Sequence, residues 1–131
     1  MNDSATGKSA IGLNANLAAA LGYPIGILGL INFIIEKENR FVKFHGIQSV
    51  LYSVLLAVIF TMIWIVLFIL GLILSATSES LALVFWGLSS LIALVMFVIW
   101  IGGHLFFAYR AYQGQMFKLP VVGSLADRFV K

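Results

Sequence analysis

His45, Gln48, Ser49, Tyr52 and Ser53 fall at i, i+3, i+4, i+7 and i+8, the spacing that gathers side chains on one face of an α-helix. The face they form is roughly 12 Å long. A second histidine, His104, lies two helical turns before Tyr112, and Asn32 stands near the end of an earlier apolar stretch. Such groups support three kinds of chemistry. They can form a hydrogen-bonded cluster that joins helices or receives a partner. As a minor reading, His45 and His104 can supply two axial nitrogens to a haem or pigment, although no cofactor is expected. Alternatively, the polar groups can sit at headgroup depth, satisfied by water and lipid.

Other chemistry lacks its residues. There is no Ser-His-Asp arrangement with a plausible acid and no glycine-rich phosphate loop, so no catalytic residue is assigned and no enzyme activity is expected. Asp3, Glu36, Glu38, Glu79 and Asp127 are too few and too scattered for a metal site, and the chain has no cysteine. Proton pumps and ion-coupled transporters place ionisable groups along their pathway. Here Ser9–Ile35, Phe44–Ser78 and Ser80–Tyr109 contain no Asp, Glu, Lys or Arg, so an autonomous pump is not expected.

Those three stretches decide the class. Each exceeds the roughly 20 apolar residues that an α-helix needs to cross a bilayer. With 62% hydrophobic and 10% charged residues, the chain cannot bury its apolar surface in a core of its own. The expected fold is an all-α integral membrane protein, a bundle of three long transmembrane helices (16–35, 45–74 and 81–112) with a short C-terminal interfacial helix. Residues 1–14 form a polar tail, 15–113 the bundle and 114–131 a cytoplasmic interfacial tail. In that tail Pro120 can open a helix, with Leu119, Val122, Leu125, Ala126 and Phe129 on one side and Lys118, Asp127, Arg128 and Lys131 on the other.

Basic residues set the orientation, because positively charged loops stay in the cytoplasm. Lys37, Arg40 and Lys43 precede the second helix, and Arg110, Lys118, Arg128 and Lys131 follow the third. With three spans these regions share a side, which places the N-terminus outside and the C-terminus in the cytoplasm of a multi-pass cell-membrane protein. The expected partners are the bilayer and either other membrane proteins or further copies of the chain, not nucleic acid.

Ala18, Gly22 and Gly26 recur every four residues on the first helix, a smooth face for close helix packing. Pro24 removes a donor from the same helix and kinks it. Glu36 and Arg40 stand at i and i+4 and would make at most a solvated pair.

The run Asn39-Arg40-Phe41-Val42-Lys43-Phe44-His45-Gly46-Ile47-Gln48-Ser49 resembles the signature of a small prokaryotic membrane-protein family of unknown function. That family is related to the twenty-kilodalton component of the chloroplast Tic translocon. Ala111-Tyr112-Gln113-Gly114, followed by Phe117-Lys118-Leu119-Pro120-Val121-Val122-Gly123, is similar to a second family segment, and the resemblance runs from Leu17 to Ala126. It implies a helical bundle with the His45/Gln48 and Tyr112–Gly123 segments close together. Two functions follow as expectations: a non-enzymatic membrane subunit or assembly factor, with Asn32, Arg40, His45, Gln48, Tyr112 and Pro120 at its packing or partner face, or an oligomeric channel or translocation component.

Overall fold

The computed structural model describes residues 5–130; residues 1–4 of the expected polar tail and Lys131 lie outside the described residues. The described chain forms α1 (Ala15–Leu21), α2 (Gly26–Ile35), α3 (Arg40–Thr77), α4 (Glu79–Tyr112) and α5 (Val122–Phe129). Two of these, α3 and α4, are long and apolar enough to cross a membrane.

The expected first spanning helix is therefore not a single helix. Its apolar run breaks at Gly22–Ile25, where Pro24 supplies no backbone N–H and the turn closes through Tyr23 N–H to Ala20 O and Ile25 N–H to Leu21 O. Beyond the turn, α2 folds back along α1. Asn32 Nδ2 donates to Ala18 O at 2.8 Å, which satisfies one of the carbonyls that a short helix leaves open at its C-terminus.

Glycine makes the return possible. A Cβ on Gly22 would stand 3.1 Å from Gly29 Cα; one on Gly29 would meet Ser49 Oγ at 2.1 Å and Gly22 O at 2.9 Å; one on Gly46 would meet Gly29 O at 2.7 Å. The backbones of α1, α2 and α3 thus cross in contact, at separations that no larger residue permits. Gly26, expected on the same face as Ala18 and Gly22, has open space around it, because the turn takes it out of the four-residue register.

The chain divides into two compact units, one comprising the residues up to Val54 and those from Gly102 onward, the other Leu55–Ile101. In the first, Ala15, Ala18, Ala19, Tyr23, Phe41, Val42 and Ala111 make one core cluster. Phe44, Ile47, Ala126 and Val130 make another, so α5 is docked on the first turns of α3. Pro120 does not open α5 as expected. It begins a tight turn in which Val122 N–H reaches Pro120 O, with Val121 at φ 64°.

The second unit is an antiparallel helical pair. Only Ser78 separates α3 from α4, and Trp86 packs over Gly71, where a Cβ would lie 2.3 Å from the indole. Its outward residues, among them Met62, Val66, Ile73, Leu83, Leu94 and Val98, are exposed and apolar. At 38 residues, α3 is roughly 57 Å long against a hydrocarbon thickness of about 30 Å.

The return of α2 also changes the placement of the termini. Ala10 N–H donates to Glu36 Oε2 at 2.7 Å, and Asn16 Nδ2 donates to Tyr112 O at 3.0 Å. The N-terminal segment therefore stands beside the start of α3 and the end of α4.

Replacing Gly29 tests the crossing. Gly29→Val is expected to lower stability by about 1–3 kcal/mol through overpacking, whereas Gly26→Val, facing open space, leaves it nearly unchanged. Thermal unfolding in detergent compares the two, and equal effects would refute the close approach.

Candidate functional site

The site begins with the start of α3. Asn39 caps the helix, its Oδ1 accepting Val42 N–H at 3.2 Å. Glu36 Oε1 accepts the N–H groups of Glu38 and Asn39 at 3.1 and 3.0 Å, and its other oxygen holds Ala10. A carboxylate at a helix N-terminus meets both unpaired amides and the positive end of the helix dipole, which accounts for the burial of Glu36. The expected Glu36–Arg40 pairing gives way to this arrangement. Arg40 instead reaches Asp127 of α5 at 3.5 Å, and Asp127 is also paired with Lys118.

With α3 started at Arg40, the polar face points inward, and His45, Gln48 and Ser49 are fully buried. The proton positions follow from the partners. His45 Nε2 lies 3.1 Å from Gln115 O, and a carbonyl only accepts, so Nε2 carries a proton. Nδ1 lies 3.0 Å from the Tyr23 hydroxyl. That oxygen already accepts from Gln48 Nε2 at 2.7 Å, so Tyr23 O–H donates to a neutral His45. Burial pushes the Tyr23 hydroxyl well above the ordinary tyrosine range, partly offset by the Gln48 contact, and it keeps its proton.

Gln48 completes the chain of bonds. Nε2 gives its second hydrogen to Phe117 O at 3.0 Å, and Oε1 accepts Leu119 N–H at 3.2 Å. The carboxamide thus holds the 115–119 backbone through both its donor and its acceptor. Phe41, Phe44 and Tyr23 surround the imidazole edge-on.

His104 belongs to a separate network. Ser53 Oγ donates to Ser49 O at 2.9 Å and lies 3.1 Å from His104 Nε2, so the imidazole N–H donates to the hydroxyl. Tyr52 lies over Gly103, where a Cβ would meet its hydroxyl at 2.0 Å.

The expected cluster is therefore only partly assembled. His45 and Gln48 meet, with Tyr23 between them. Asn32 is buried in the α1–α2 return, and His104 binds Ser53. The Tyr112 side chain is exposed, contributing only its carbonyl, to Asn16. Ala18 and Gly22 pack inside the first unit, Gly26 does not, and Pro120 lies in the turn before α5. Sequence reasoning missed Tyr23, hidden in an apolar run, and Glu36, whose partners are backbone amides. The contributions of Gln115, Phe117 and Leu119 are entirely main-chain and leave no side-chain signal. Among the described residues no three His, Cys, Asp or Glu side chains gather to hold a metal.

Gln48→Leu would leave Phe117 O and Leu119 N–H without their partner in a part-buried site, at about 1 kcal/mol per group, the low end for an unsatisfied group. We expect a clearly lower unfolding midpoint and faster trypsin cleavage after Lys118; unchanged cleavage would show that the clamp does not hold this segment.

A sequence profile described as the magnetosome magnetite crystal formation protein family matches residues 8–126. Two UPF0132 membrane proteins of Methanocaldococcus jannaschii are similar to the chain. One is 36% identical over 94% of this chain and 94% of its own length, the other 30% identical over 93% and 74%. A UPF0132 membrane protein of Archaeoglobus fulgidus is 33% identical over 88% of this chain and 95% of its own length. No solved structure matches. This coverage, from Lys8 to Ala126 within α5, makes the chain a membrane protein of the magnetosome magnetite crystal formation protein family.

Proposed function

We infer that the chain is a non-enzymatic small subunit or assembly factor that packs within a larger membrane complex. The observation that carries this reading is the closed bonding of the Tyr23, His45 and Gln48 side chains. Tyr23, His45 and Gln48 spend their donors and acceptors on one another and on the 115–119 backbone, so they act as structural fasteners. Haem ligation through His45 would require breaking one of its two ring-nitrogen bonds. The Leu55–Ile101 pair, by contrast, presents apolar side chains outward for lipid and for neighbouring membrane helices. The family's name points to magnetite crystal formation. In this chain we assign any such role to organising a membrane assembly.

Orientation follows the same reading. Every Lys and Arg lies outside Leu55–Ile101, whose one charged residue is Glu79. With two spans, the positive-inside tendency puts both termini in the cytoplasm and Ser78 outside. The chain has no native cysteine, so single substitutions report topology cleanly. An impermeant maleimide is expected to label Ser78→Cys on intact cells and Ala10→Cys only after permeabilisation; external labelling of Ala10→Cys would overturn this topology.

Purification from the native membrane in mild detergent, followed by mass spectrometry and an absorption spectrum, tests the function. Stoichiometric companion proteins and no visible band are expected. A companion-free homo-oligomer that conducts in bilayers would replace the subunit reading with a channel or translocation role. A visible band lost in the His45→Ala/His104→Ala variant would establish a cofactor.

A further inference from the structure

We propose that α5 and the outer face of α2 form an interfacial seat for anionic phospholipid, with acyl chains against an apolar stripe and headgroup phosphates against the adjoining cations. The proposal rests on the reading that α3 and α4 cross a bilayer.

The stripe lies on the side of α5 next to its docked face. Val122, Ala126 and Val130 are buried against the protein, yet Val121, Leu125 and Phe129 are 78%, 39% and 52% exposed. These three follow at four-residue steps, which drift only about 40° each around a helix. The remaining side carries exposed Ser124 and Arg128. Around its circumference α5 therefore meets protein, then an uncovered apolar strip, then polar residues. A helix lying in the plane of a bilayer interface has these three surroundings.

The strip continues onto α2. Phe129 makes an edge contact with Phe33, ring centroids 6.4 Å apart, and Ile27, Leu30 and Ile34 beyond it are exposed. The one polar side chain of α2, Asn32, is buried.

Charge selects the occupant. Lys43 Nζ stands 5.9 Å from the Phe33 ring centroid, and Arg128 neighbours Phe129 on α5. Two acids of this unit are committed, Glu36 to backbone amides and Asp127 to Arg40 and Lys118, and exposed Glu38 stands beside Lys37 in the α2–α3 turn. A second copy of the chain would bring the same cations face to face, whereas an anionic headgroup layer complements them.

The test uses the full chain reconstituted in vesicles of phosphatidylcholine alone or mixed with phosphatidylglycerol. Single cysteines replace Leu125, Phe129, Ser124 and Val66 and carry an environment-sensitive fluorophore. Labels at Leu125→Cys and Phe129→Cys are expected to be quenched by spin-labelled acyl chains, and that at Ser124→Cys by aqueous iodide. Lys43→Gln and Arg128→Gln are each expected to reduce co-purifying phosphatidylglycerol about fivefold, with phosphatidylcholine unchanged. If Val66→Cys is lipid-quenched while Leu125→Cys and Phe129→Cys are not, the interfacial seat is wrong and the spanning reading stands. If Val66→Cys is not quenched, both fall. Equal retention of the two lipids by wild type and variants would reject the phosphate contacts.

Discussion

Three helical backbones cross in contact at Gly22, Gly29 and Gly46, and the other features of the first unit follow from that approach. Side chains there would hold α1, α2 and α3 apart. Without them, the turn after α1 carries the Tyr23 hydroxyl to within hydrogen-bonding distance of His45 and Gln48. Those two residues then hold the 115–119 backbone, and the held backbone sets α5 against Phe44 and Ile47. A close contact between main chains thus propagates to a helix almost a hundred residues away in sequence.

Polar groups buried here are stable because each bond accounts for both its donor and its acceptor. An unpaired amide or carbonyl in such a place costs about as much as a strong side-chain contact gains. Glu36 solves the same problem at the head of α3. Helices begin with amides that have no intrahelical partner, and the Glu36 carboxylate takes that of Asn39 at the cap together with the Glu38 amide just before it, while tying in Ala10. The same residue therefore caps a helix and anchors the N-terminal segment, which explains why a charge is tolerated in a buried position.

The two units divide the physical work. In the first, polar and aromatic side chains are packed inward and held by directional bonds. In Leu55–Ile101, helix geometry satisfies the backbone internally and the surface is apolar, as hydrocarbon requires of any spanning segment. A helical pair whose single charge, Glu79, lies beside its Ser78 turn needs few specific side-chain contacts to persist in lipid. The specificity of the chain is accordingly concentrated in the unit that carries Gly22, Gly29 and Gly46, both histidines and the C-terminal helix.

Composition alone determined that α3 and α4 are helices of membrane type, because uninterrupted apolar length is a local property and backbone bonding within a helix needs no distant partner. The inward polar face from His45 to Ser53 was legible for the same reason: its spacing is set by helical pitch. Whether Pro24 kinks a spanning helix or ends it was decided by tertiary structure, since hydropathy is the same in both cases and the outcome depends on a glycine seam on another helix. The partner of His45 was likewise beyond local reading. Residue type offered His45 only as a potential axial ligand, whereas its bonds run to Tyr23, which the hairpin brings in, and to the carbonyl of Gln115, which any residue could supply. Main-chain partners and backbone crossings carry no residue-type signature, so only the folded chain could reveal them.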